Sequence, residues 1–179
     1  MSNKRIIVMV GPSGSGKTSI GEVLSQSGVQ RLITTTTRKP RAGEVNGVDY
    51  YFREFSELDG DDFVEQTIYN YNRYGLTKEE VSNQFKQHDV VHVSLDKSGA
   101  EAVLETFPDE ALIIFVSITE EEMVRRMEKR GDSEAAIKER IRFCRETDEL
   151  TPPKFADLII INDNIEKTAK KILAHIKNR

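Results

Sequence analysis

The chain has 179 residues, 37% of them apolar and 31% charged, the size and mixture of one soluble globular unit with a full core. Its formal net charge of -4 excludes a surface built to neutralise nucleic-acid phosphates, and no apolar run approaches the roughly 20 residues that span a bilayer. Any phosphate it binds must be gripped locally by a few well-placed cations, so neither nucleic acid nor a membrane is an expected partner.

Strand and helix alternate along the chain, the pattern of a parallel α/β sheet. Residues 5–10 are a nearly continuous apolar run, as in a strand covered on both faces, and the residues from Met1 up to it show no signal-peptide pattern. A glycine-rich turn follows, then a helix over 17–26. Residues 34–89 break the rhythm. They are polar, with glycines at 43, 47, 60 and 75 and four of the five tyrosines between 50 and 71. They read as short strands and turns inserted into the core, a substrate arm rather than a second domain.

Core strands resume at 90–95, 111–116 and 157–161. Thr119 with Glu122 makes a capping box, a helix from Ser133 is expected to run to Pro152 and Pro153, and Asn164 caps the last helix. That helix should turn Ile165, Ala169, Ile172 and Ile176 inward. The single cysteine, Cys144, cannot form an internal disulfide, which fits a reducing cytoplasm. It reads as a packing thiol with no histidine or acid partner. His88, His92 and His175 lack metal-ligand spacing and read as structural or surface.

Two stretches carry chemistry. Gly11, Pro12, Ser13, Gly14, Ser15, Gly16, Lys17 and Thr18 fit G-x-x-x-x-G-K-[ST] without a mismatch, after an apolar strand and at the start of a helix. Backbone N–H groups of such a loop, with Ser19 following, curl around the β-phosphate of a nucleoside triphosphate. Lys17 reaches the β and γ oxygens, and the Thr18 hydroxyl is placed to ligate Mg²⁺. A chance glycine-rich turn would lack that strand-and-helix context. The loop leaves the use of the nucleotide open, since GTPases, motors and small-molecule kinases share it.

The second stretch is in the insert. Arg38 and Arg41 lie three residues apart, with hydroxyls from Thr34 onward on one side and Tyr50 on the other. Two guanidinium forks and a phenol can hold one dianionic phosphate, although on composition alone a solvated basic turn is the commoner meaning of Arg38, Lys39, Pro40 and Arg41. The pattern T-T-R-x-P-R-x-G-E-x-x-G-x-D-Y over residues 36–50 closely resembles the acceptor-binding motif of guanylate kinases, and the similarity spans residues 6–162. The resemblance implies an ATP-dependent, Mg²⁺-assisted kinase for GMP, acting as a monomer or homodimer on small-molecule nucleotides. It implies an acceptor site of Thr34, Arg38, Arg41, Tyr50 and Tyr74, with Glu65 and Asp96 as the guanine-reading carboxylates. On the residues alone, Asp96 could equally serve near Mg²⁺, since it follows a strand.

The lid is expected at about 126–140. Arg126 and Arg130, four apart on one helix face, and Arg140 match the family's catalytic lid arginines, while Arg125, Arg142 and Arg145 read as surface residues balanced by acids. Gly131 offers a hinge between two helices. Asn162 matches the residue that packs beside the ATP adenine, although a simple strand-to-helix turn explains it almost as well.

The expected fold is thus a P-loop-type parallel β-sheet core flanked by helices (1–33 and 90–179), one domain with an inserted nucleoside-monophosphate-binding arm (34–89) and a short lid. Three departures from the family pattern bear on the acceptor. Leu76 stands where a serine usually bonds guanine O6, and Ser94 replaces a frequent aspartate. Residues 55–62 leave little room for the helix normally found there. They keep a kinase for dGMP, IMP or a ribosyl phosphate as an alternative; a non-catalytic binding domain fits poorly with a complete phosphate loop.

Overall fold

The computed structural model describes residues 3–69 and 71–177; Met1 and Ser2, part of the N-terminal run read above, lie outside them. The chain starts with β1 (Arg5–Val10), α1 (Lys17–Gln26), β2 (Gln30–Arg31), β3 (Thr35–Thr36) and β4 (Tyr51–Phe52). Two one-turn 3-10 helices, Phe55–Glu57 and Gly60–Asp62, lead to β5 (Phe63–Tyr69), β6 (Asn72–Thr77) and α2 (Lys78–Phe85). Then come β7 (Val90–Ser94), α3 (Lys97–Thr106), β8 (Ala111–Ser117), α4 (Glu120–Arg130), α5 (Glu134–Glu146), β9 (Leu158–Ile161) and α6 (Ile165–Lys177).

The main sheet runs β2-β7-β1-β8-β9 with every pairing parallel. Alternation along β1 divides its side chains between two cores. Ile7 and Met9 pack with Ile20 and Leu24 of α1 and Ala169 and Ile172 of α6. Ile6, Val8 and Val10 pack on the other face with Ala100 and Val103 of α3 and with Leu76 and Val81 from the insert. Burial on both faces is why the strand reads as continuously apolar. A third cluster, Met123, Met127, Ile137, Ile141 and Cys144, joins α4 to α5.

The insert forms its own sheet in the order β4-β3-β6-β5. Its β5–β6 hairpin is longer than the short strands expected, and the insert is anchored because Leu76 and Val81 complete the main core. The Leu76 side chain is fully buried. Leu76→Ala should therefore destabilise the protein by about 2–5 kcal/mol, read as a lower urea midpoint with unchanged slope.

Several boundaries shift. The helix begun at Ser133 stops at Glu146, well short of Pro152, because Asp148 enters the left-handed region at φ 54. Asn164 Oδ1 accepts from Lys167 N (2.9 Å) as a cap should, and Ala169 and Ile172 are buried, but Ile165, the first residue of α6, is exposed. Thr119 Oγ1 accepts from Glu122 N (3.2 Å), while the Glu122 carboxylate turns to Arg125 and Arg126 instead of completing the capping box. His92 is buried with Nε2 against Ser25 Oγ at 2.9 Å, and burial pulls its pKa down to about 4, so it packs as a neutral ring. Among the described residues, no helix is long and apolar enough to cross a membrane.

Candidate active site

The phosphate loop leaves the C-terminal end of β1 and enters α1. Its tight curve requires left-handed backbone at Gly14 (φ 82) and Gly16 (φ 95); a Cβ on Gly16 would also fall 2.3 Å from Asn162 Nδ2. Asn162 underlies the loop. Its Nδ2 donates to Ser15 O (2.7 Å) and its Oδ1 accepts from Thr168 Oγ1 (3.0 Å), and the residue is buried. Both ends of its amide are committed to holding the loop against α6.

Lys17 Nζ bends back over the loop, donating to the carbonyls of Gly11 (2.5 Å) and Pro12 (3.0 Å). Burial lowers its pKa to about 8, with the nearby Glu149 carboxylate opposing the shift. The ammonium is held ready at reduced solvation, where an arriving phosphate meets a stronger field. Thr18 and Ser19 open α1, with Thr18 exposed.

A cavity of about 370 Å³ joins this loop to the insert. Gly11, Ser13 and Lys17 line one end. Thr34, Tyr50, Glu65, Thr67 and Tyr74 line the other, with Ser94 and Asp96 at the side. Arg140 of α5 and Glu149, just beyond that helix, complete the lining. Residues far apart in sequence meet here because the segments leaving β1 and β7 lie against the middle of the β5–β6 hairpin.

The two carboxylates differ in environment. Glu65 Oε1 accepts from Leu76 N (2.9 Å), and burial raises its pKa to about 7, with the Asp96 charge adding to the rise. Asp96 is exposed, and its Oδ1 accepts from Gly99 N (2.7 Å) as the N-cap of α3. The cap explains its place after β7 without a metal.

The cations separate into three groups. Arg38 is already paired: Nη1 and Nη2 donate to Glu44 at 2.9 and 2.8 Å, its guanidinium lies 5.6 Å from the Tyr50 ring centre, and Glu44 also accepts from Arg41 N (2.7 Å). The Arg41 side chain is exposed beyond the cavity. Arg140 Nη2 donates to Glu149 (2.6 Å) at the cavity wall, with its Nε buried and unpartnered.

Arg126 and Arg130, the other two arginines expected in a lid, do not line the cavity. Arg126 clamps the back of the loop, donating to Gly14 O (3.1 Å) and Asn162 O (2.7 Å) while Glu122 holds its Nε. Arg130 points to solvent and pairs with Asp132, so the shared helix face of Arg126 and Arg130 does not bring both to the site. Arg125 and Arg145 pair with Glu122 and Glu120 at the surface as expected, and Arg142 with Glu146.

Sequence reasoning missed Glu44, Glu122 and Glu149, the counter-ions that set where Arg38, Arg126 and Arg140 point. Glu44 stood inside the motif as its acidic member; nothing local singled out Glu149. Cys144 packs between α4 and α5 as read, but it does have an acid partner: its buried Sγ lies 3.3 Å from Glu149 Oε2, and burial pushes its pKa up to about 11.

Known proteins resemble this chain over nearly its whole length. A family model described as guanylate kinase matches residues 3–179. A guanylate kinase of Fusobacterium nucleatum is 35% identical over 184 residues, covering 99% of this chain and 98% of that protein. One of Synechococcus is 35% identical over 177 residues, covering 95% and 81%. Among solved structures, guanylate kinase from Anaplasma phagocytophilum aligns with a TM-score of 0.68 at 23% identity, over 99% of this chain and 87% of that one. A shikimate kinase from Acinetobacter baumannii, in complex with shikimate, aligns at 0.53 and 16% over 99% and 95%. At these identities the two structures speak for the fold.

Proposed function

The chain belongs to the guanylate kinase family, and from that membership we propose that it phosphorylates GMP to GDP at the expense of ATP. The observation that carries the reading is the single cavity, with the phosphate loop at one end and the Glu65 and Tyr74 arm at the other. A triphosphate on the loop and a monophosphate on the arm would then share one cavity.

An oxygen of the GMP phosphate attacks the γ-phosphorus, the bond to the β–γ bridging oxygen breaks, and ADP leaves with that electron pair. No protein group bonds to the transferred phosphoryl, so catalysis comes from alignment and charge. Lys17 exchanges the Gly11 and Pro12 carbonyls for β and γ oxygens. Arg140 turns from Glu149 onto the moving group, and its unpartnered Nε supplies a further donor. Arg126 acts one step back, fixing the loop through Gly14. Arg130 reaches the phosphates only if the lid moves.

The metal site is tested by its donors. Among the described residues no cluster of three acids or imidazoles could hold an ion, and Thr18 offers one exposed hydroxyl. That set suits Mg²⁺, which keeps several waters and takes phosphate oxygens as ligands. When bound, the ion would neutralise charge on the β and γ phosphates. The free buried thiol of Cys144 supports a reducing compartment, the cytoplasm.

On the acceptor side, Arg38 and Arg41 are assigned to the GMP phosphate, Arg38 by partial exchange from Glu44. Arg38→Ala and Arg41→Ala should each weaken acceptor binding by about 10- to 100-fold, the scale of one charge-assisted contact, and leave the ATP dissociation constant measured without acceptor unchanged. A fall in ATP affinity alone would place these arginines in the other site. The reading as a whole is tested by ADP release with ATP and Mg²⁺ against GMP, dGMP, IMP, AMP and a ribosyl phosphate. GMP should lead; the buried aliphatic Leu76 is what favours including the others.

A further inference from the structure

A cavity that takes a triphosphate and a monophosphate must attract anions, yet three carboxylates line it: Glu65, Asp96 and Glu149. Two of them are committed to backbone. Glu65 accepts from Leu76 N (2.9 Å), and Asp96 caps α3 through Gly99 N (2.7 Å). The Glu149 carboxylate instead takes Arg140 Nη2 at 2.6 Å and the Cys144 thiol at 3.3 Å, both on Oε2. Lys17, at the other side of the same cavity, feels the Glu149 charge favourably and the Arg140 charge unfavourably. An acid so placed opposes phosphate binding, and its one service is to the cations.

We infer that Glu149 stands in for a nucleotide phosphate in the empty site, a positioning residue that holds Arg140 at the cavity wall until ATP takes the arginine over. The inference rests on the kinase reading above and adds what keeps two like charges, Lys17 and Arg140, together before any phosphate arrives.

The carboxylate is fixed from the core side. Asp148 adopts left-handed backbone (φ 54), which ends α5 and lets Glu149 N donate to Cys144 O (2.9 Å). Lys97, the first residue of α3, donates to the Asp148 carbonyl and to its carboxylate (3.1 Å), tying that turn to the core. Arg140 is held far less. Among the described residues Glu149 is its one hydrogen-bond partner, and its buried Nε has none. The pair is half-buried, so exchanging the carboxylate for a phosphate replaces one charge-assisted bond by another. Arg126 shows the contrast, since its bonds to Gly14 O and Asn162 O leave it nothing to surrender.

The test is the ATP dissociation constant, measured by calorimetry with Mg²⁺ and no acceptor. Glu149→Gln keeps the shape and removes the charge. It should bind ATP about 3- to 10-fold more tightly than wild type, the scale of one charge-assisted bond that ATP no longer has to break. A purely structural role predicts the opposite sign, because a damaged site binds more weakly. In an Arg140→Ala background the same change should gain less than about twofold, because the arginine to be released is gone. Should the glutamine protein fail to fold, Glu149→Ala reads the same constant. Unchanged or weaker ATP binding in the folded variant overturns the inference. A gain that survives in full without Arg140 overturns it too, since Glu149 would then be a repelling charge and no holder of the arginine. Wild-type protein that releases no ADP from ATP and GMP would overturn the kinase reading instead, a result separable from the others because it needs no variant.

Discussion

Lys17→Ala should lower kcat by at least about a thousandfold. The ammonium is the one loop cation within reach of the β and γ oxygens, and removing a preorganised charge from a developing anion costs roughly 3–4 kcal/mol or more. Its setting strengthens the expectation, since burial has already drawn its pKa to about 8 and little water remains to substitute for it. Loss of fold is not a rival explanation. Burial penalises the charged form of Lys17, so alanine relieves a desolvation cost while giving up two bonds to loop carbonyls, and the melting temperature should change little. Single-turnover measurement with saturating ATP and GMP isolates the chemical step. Turnover within tenfold of wild type would remove Lys17 from the mechanism.

GMP should exceed AMP by at least about a thousandfold in kcat/KM, and Glu65→Gln should erase most of that ratio by lowering GMP use. Adenine has an acceptor at N1, so binding it sets a lone pair against the half-buried Glu65 carboxylate, which then keeps only the Leu76 N–H as a donor. Glutamine must present an amide N–H₂ toward N1–H or give up a contact. The pKa of Glu65 sets a pH signature. Burial raises it to about 7, and only the carboxylate form accepts from N1–H and N2, so GMP binding should strengthen as pH rises. Between pH 6.5 and 8 the ionised fraction grows roughly fourfold, and GMP affinity should follow by calorimetry. Glu65→Gln should flatten the rise to the part due to the ligand phosphate. Equal use of AMP and GMP by wild type would sink the assignment of Glu65.

The phosphate loop and the parallel core were legible because their signals are local. Eight consecutive residues between an apolar strand and a helix define the loop, and burial on both faces writes itself into β1 as unbroken hydrophobicity. The acceptor arm was legible only through resemblance, since Arg38, Lys39, Pro40 and Arg41 read by composition as a surface turn.

By itself, then, the sequence determined the α/β class and the loop with Lys17 and Thr18, while Glu65 and Asp96 entered only through the resemblance. Tertiary structure alone decided which arginine does what. Arg126 and Arg130 share a helix face by spacing, yet Glu122, Gly14 and Asn162 draw one onto the loop while Asp132 holds the other in solvent. Arg140 reaches the cavity because Glu149, beyond the end of α5, meets it there. Helical periodicity specifies the direction a side chain leaves its own helix. The charge it finally meets depends on how that helix docks and where the chain returns, contacts that no local spacing encodes.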